Sequence, residues 1–82
     1  MEEIMKKRII ESVNKDIKIV LQNNFIYAGK LTGCDETYLE ILDYKSNSFH
    51  ICKLDNIKDL EVKGWKNGNV LVVRGLDIMK KN

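Results

Sequence analysis

From Asp16 onward the chain is a succession of short apolar runs, each closed by a turn signal. That punctuation limits its fold more than any other feature. Ile17-Lys18-Ile19-Val20-Leu21 is rich in β-branched residues and ends at Gln22-Asn23-Asn24, where asparagine tolerates positive φ. Phe25 to Leu31 is a second run, so the pair reads as a hairpin. Gly29 interrupts it, which marks a bend, a bulge or a close backbone approach. Thr32-Gly33-Cys34-Asp35-Glu36 is a turn, Thr37 to Tyr44 a third strand, and Lys45-Ser46-Asn47-Ser48 its close. Phe49 to Leu54 alternates, with Phe49, Ile51 and Leu54 predicted to point inward. Ile57, Leu60 and Val62 extend the apolar pattern after Asp55-Asn56. Lys63 to Gly68 reads as a turn, Val70 to Arg74 as a strand, Gly75 as a break and Leu76 to Met79 as a last short strand. Lys80-Lys81-Asn82 is a polar tail.

Ahead of these runs the pattern is helical. Glu2 and Glu3 precede Lys6, Lys7 and Arg8, an order that suits the helix dipole. Met5, Ile9 and Val13 recur every four residues and form a narrow stripe to lie against the body of the domain. The spacing predicts a helix over residues 1–14. A short helix followed by five or more short, strongly bent strands predicts a mostly β fold, a small SH3-like barrel. Leu31, Val20 and Ile41 are candidates for its interior.

Eighty-two residues allow one domain, residues 1–82, with thin stability from its own core. Disulfides offer little help: Cys34 and Cys52 occur without a signal-peptide pattern and read as small buried hydrophobes in a reducing compartment. His50 and two distant cysteines do not match zinc-ligand spacing, so no metal and no cofactor is expected. Oligomerisation is the remaining source of stability. Fourteen basic and 12 acidic residues give a net charge of +2, which permits nucleic acid without demanding it. No apolar run approaches the length of a membrane span, and a soluble, cytoplasmic protein is expected, or a nuclear one in a eukaryote.

Two stretches resemble the Sm/LSm (Sm-like) family. Ile17 to Leu42 is similar to the first Sm motif, with Tyr27, Gly29, Leu31 and Asp35 in its aromatic, Gly, apolar and Asp places. Val70 to Met79, VLVVRGLDIM, is similar to the second: an apolar strand, Arg-Gly, a variable residue, Asn or Asp, then an aliphatic residue. Arg74, Gly75, Asp77 and Ile78 match those places. The resemblance implies a five-stranded Sm-fold barrel, with the first motif over 17–44, a long connecting hairpin over 45–68 and the second motif over 69–80.

A second frame is open. SFHICKLDNIKDLEV itself reads as strand, turn and strand, and would supply the fourth and fifth barrel strands, leaving Val70 to Lys80 as an added hairpin. The sharper V-R-G-x-D-I match favours the first frame.

The resemblance further implies a six- or seven-membered ring, homomeric or mixed, joined by pairing Val70–Val73 of one subunit with Leu76–Met79 of the next. It implies single-stranded RNA, often U-rich, along the inner rim. One base would stack between a first-motif side chain and Arg74, beside Gly75 and Asp77, with Asp35 shaping the pocket. Aligned without a gap, Thr37 takes the stacking place and Leu39 the base-reading Asn place; leucine cannot read a base edge. With one extra loop residue, Tyr38 stacks and Glu40 takes the Asn place. Simpler roles stand beside these. Asp35 can cap its own turn, and Arg74 can pair with Asp35 or Asp77 and only shape the loop. Tyr38 and Tyr27 can pack, and Trp65 can cover a barrel end.

Three functions follow in order of support: an RNA-binding ring subunit in RNA processing or ribonucleoprotein assembly; an Sm-fold scaffold with an eroded RNA pocket acting through protein contacts; and, last, an enzyme. His50 has no evident nucleophile partner and no Gly-rich phosphate loop is present, so catalysis is not expected.

Overall fold

The computed structural model describes residues 2–74, with side-chain detail from residue 7 onward. Its elements are α1 (Glu2–Glu11), β1 (Asp16–Leu21), β2 (Ile26–Cys34), β3 (Tyr38–Asp43), β4 (Ser48–Lys53), a single 3-10 turn (Leu54–Asn56), β5 (Ile57–Lys66) and β6 (Asn69–Arg74). The strands form one antiparallel sheet in the order β4-β3-β2-β1-β5-β6. The fold is therefore mostly β behind a short helix. Six strands are seen among the described residues, where five were predicted.

Alternation sorts the core. Ile17, Ile19 and Leu21 of β1, Leu31 of β2, Leu39 and Ile41 of β3, Leu60 and Val62 of β5 and Val73 of β6 share one buried cluster. Val20, one residue out of phase, is half-buried on the other side and is not an interior residue. The buried side chains form one cluster with Ile9 of the helix, so helix and sheet share a single core. Burying each large aliphatic side chain contributes roughly 1.5–3 kcal/mol.

The helix stops at Glu11, short of the predicted residue 14. The Ser12 hydroxyl donates to Arg8 O at 2.7 Å, and Asn14 adopts φ 80°. The chain then joins the sheet: Asn14 N–H donates to Leu31 O at 2.6 Å and Leu31 N–H to Lys15 O at 3.0 Å. Ile9 is fully buried, and Val13 packs against the same cluster.

Gly29 is required by close approach. It lies opposite Asp43 in the β2–β3 ladder, and a Cβ there would sit 1.8 Å from Leu42 O. The predicted turn over 63–68 contracts to Asn67-Gly68, with φ 53° and 79°. Two consecutive positive φ values make the tight turn whose twist matches its flanking strands.

The segment 45–68 does not project as a connecting hairpin. Its first limb, β4, pairs with β3, and its second, β5, pairs along β1 with Ile17 opposite Val62 and Ile19 opposite Leu60. That is the strand placement of the second frame, and Val70–Arg74 falls in β6, added outside β5. The phase of β4 is also the reverse of that predicted: Phe49 and Ile51 are 61 % and 69 % exposed, while Cys52 is buried. Ladder pairing sets this phase, because Cys52 faces Leu39 and Ile51 faces Glu40. The predicted strand Leu76–Met79 lies outside the described residues.

Candidate nucleic-acid interface

One rim of the sheet carries Asp35, Thr37 and Tyr38, three of the candidate site residues. The turn between β2 and β3 is folded by Asp35, whose Oδ1 accepts from Thr37 N–H at 2.7 Å and Tyr38 N–H at 2.8 Å. The turn closes with Asp35 N–H donating to Tyr38 O at 2.9 Å. These two N–H donors, Tyr38 first, hold the Asp35 carboxyl below its ordinary range. Asp35 thus performs the capping role offered for it.

The 3-10 turn is tied to this rim, since Leu54 N–H donates to Thr37 O at 2.8 Å. Lys53, the last residue of β4, stands opposite Tyr38 in the ladder, and both side chains are exposed. Tyr38, Lys53, Glu40 and Ile51 share the outer face of β3 and β4. An open groove of about 310 Å³ runs beside them, bounded by Gly33, Cys34, Asp35, Tyr38, Leu39, Glu40 and Ile51.

The alternation of β3 decides which side chains the groove can use. Leu39 is 1 % exposed and belongs to the core, so its side chain is unavailable to a ligand. Tyr38 is 46 % exposed. Glu40 is half-buried, and its Oε1 accepts from the Thr32 hydroxyl at 2.8 Å. Thr37 is exposed at the tip of the turn. The β3 side chains that face the groove are therefore those of Tyr38 and Glu40.

Arg74 is not brought to this rim by the strand ladder. It ends β6 opposite Asp59, and the strand order puts β6 at one edge of the sheet and β4 at the other. Gly75 and Asp77 lie outside the described residues. The basic side chain that does stand at the rim is Lys53, which the sequence reading passed over. The signal for it was Lys53-Leu54-Asp55-Asn56-Ile57, the junction of the second frame's two strands.

Cys34 borders the groove as a half-buried thiol. Burial, and then the Asp35 carboxylate, push its thiol up to about 11, so it stays protonated at neutral pH. Among the described residues no group of three or more His, Cys, Asp or Glu side chains could hold a metal. Among the same residues no helix is long and apolar enough to cross a membrane. Trp65 is half-buried against the core, and its ring carries the Lys66 ammonium at 5.6 Å from the centroid.

No family model matches the chain, and no curated protein matches it.

Proposed function

We propose that the chain is an Sm-like barrel subunit that binds single-stranded RNA at the rim formed by the β2–β3 turn and the 3-10 turn. The observation that carries this reading is the exposed Tyr38 opposite Lys53, beside a turn fixed by Asp35. An aromatic face offers stacking to any base, and a neighbouring ammonium holds the phosphate. In the second frame, Lys53-Leu54-Asp55-Asn56-Ile57 takes the place of the Arg-Gly turn, with Lys for Arg, Leu for Gly and Asn56 in the Asn or Asp place. Glu40, held by Thr32, accepts hydrogen bonds and so favours bases that present an N–H at their edge. Its charge and the loss of the Asn predict weaker selectivity for U than the family resemblance alone implies.

Assembly into a ring fits the two edges that the sheet has among the described residues, β4 and β6. Among the described residues neither edge strand has a neighbour on its outer side, and each carries outward apolar side chains, Phe49 and Ile51 on one and Val70 and Val72 on the other. The same exposed residues favour a second reading, a scaffold subunit that acts through protein contacts alone.

Titration of the purified chain with oligo-U and oligo-A, beside its native mass, tests both readings. Tyr38→Ala should weaken RNA binding by about 1–3 kcal/mol if Tyr38 stacks a base. Lys53→Gln should flatten the salt dependence by roughly one phosphate contact. A native mass of six or seven subunits with no RNA affinity would leave the scaffold reading. A monomer would end the ring.

A further inference from the structure

The opposite rim of the same strands carries a second cluster, independent of the Asp35 turn. β3 runs from Tyr38 at the first rim to Asp43 at this one, about 16 Å away at the rise of an extended strand. Here the β1–β2 and β3–β4 turns enclose a pocket of about 430 Å³, lined by Phe25, Ile26, Tyr27, Asp43, Lys45, Ser46 and His50. The Tyr27 and His50 rings are stacked, with centroids 4.4 Å apart and planes 23° from parallel. Phe25 meets Tyr27 edge-on at 5.5 Å and is itself 58 % exposed.

The polar groups of this corner divide into those already committed and those free. Asp43 is committed. Its Oδ2 accepts from the Ser46 hydroxyl at 2.8 Å and Ser46 N–H at 3.0 Å, and its Oδ1 faces Ala28 N–H at 3.3 Å. Among the described residues these bonds leave the His50 ring nitrogens and the exposed Lys45 ammonium without a hydrogen-bond partner. An aromatic wall, a half-buried imidazole with polar atoms to offer, and a cation at the mouth suit a planar ring with a polar edge and an attached anion.

We propose that this pocket is a second nucleobase subsite, taking one base of a single strand against Phe25 and the Tyr27–His50 stack, with its phosphate at Lys45. The subsite deepens the RNA-binding reading by adding a second base site about 16 Å along β3 from Tyr38, on the side of the sheet that His50 shares with Ile41. It also stands without that reading, since none of its residues belongs to the Tyr38–Lys53 rim. An aliphatic occupant would leave Lys45 and His50 unused, and a bare anion would leave the aromatic wall unused.

The test uses the full chain, adenosine 5′-monophosphate and uridine 5′-monophosphate as small probes, and a 10-nucleotide single-stranded RNA. Phe25→Ser and Lys45→Gln alter exposed side chains, so the fold is retained; Tyr38→Ala serves as the comparison at the other rim. Phe25→Ser should weaken the 10-nucleotide RNA about tenfold, as loss of one stacked base does. Lys45→Gln should lower the slope of log affinity against log salt by about 0.7. The mononucleotides should shift the Tyr27 and His50 ring resonances in the wild type and in Tyr38→Ala alike. Loss of RNA affinity in Phe25→Ser but not in Tyr38→Ala upholds the subsite and removes the first rim. Unchanged RNA affinity in Phe25→Ser and Lys45→Gln, with Tyr27 and His50 resonances unmoved by either mononucleotide, overturns the subsite.

Discussion

The middle of the sheet and its two edges are built from similar residues and obey different constraints. At the middle, β2 and β3 approach so closely that Gly29 has no room for a methyl group, and Leu31, Leu39 and Ile41 are buried. At the edges, Phe49, Ile51, Val70 and Val72 are each more than half exposed. Hydrophobicity therefore does not assign these residues their place; the ladder does. A strand with neighbours on both sides has its phase set twice, and an edge strand has it set once.

Four perturbations would break or sharpen this contrast. The largest effect is expected at Gly29. Gly29→Ala places a carbon against a backbone carbonyl, which cannot rotate away, and should cost about 3 kcal/mol or more in urea unfolding. For a domain of this size that is a large share of total stability. Next comes Leu39→Ala, which should cost about 3 kcal/mol through lost burial and the cavity left behind. If its cost fell below about 1 kcal/mol, Leu39 would not be the core residue described here.

The third perturbation is acid. The Ser46 hydroxyl, then Ser46 N–H and Ala28 N–H, hold the Asp43 carboxyl below the ordinary carboxylate range. Its pKa is lower folded than unfolded, so the unfolded chain takes up the proton first as pH falls. The stabilisation is complete at neutral pH and is lost as pH falls below about 4 and through the folded value. Asp35 contributes in the same direction through Tyr38 N–H and Thr37 N–H. Unfolding curves at pH 7 and pH 3 should differ less for Asp43→Asn than for the wild type. An equal difference would place the acid sensitivity elsewhere.

The smallest effect on the isolated fold is expected at the edge. Phe49→Ser and Ile51→Ser should change stability by no more than about 0.5 kcal/mol, as exposed substitutions do. They should nonetheless lower the native mass if β4 joins one subunit to the next. A large loss of monomer stability would mean that these side chains are buried, and would undo the edge assignment.

The helix stripe, the hairpin turns at asparagine and the special place of Gly29 were legible because each rests on a local rule. Ile9 is buried at the predicted face, and Asn24, Asn47 and Asn67 all adopt positive φ. Asp35 was legible as a turn residue for the same reason. The rest of the candidate rim was not. Whether Tyr38 or Leu39 faces outward depends on one residue of loop length, and a slip of one residue exchanges the two faces of a strand. Lys53 and Arg74 looked alike as basic ends of apolar strands, and only pairing separates them.

By itself, then, the sequence determined the helix, the β character of the chain, the turns at Asn24, Asn47 and Asn67 and the close approach at Gly29, because these follow from backbone sterics and side-chain period over a few residues. Thr32 to Cys34 and Lys63 to Lys66, read as turns, are strand. Only the tertiary structure decided that β5 lies against β1, that Phe49 and Ile51 face outward, and that Lys53 rather than Arg74 stands beside Tyr38. Those outcomes depend on which strands find each other across tens of residues. Several pairings of alternating strands bury comparable apolar area, and the choice among them belongs to the whole sheet.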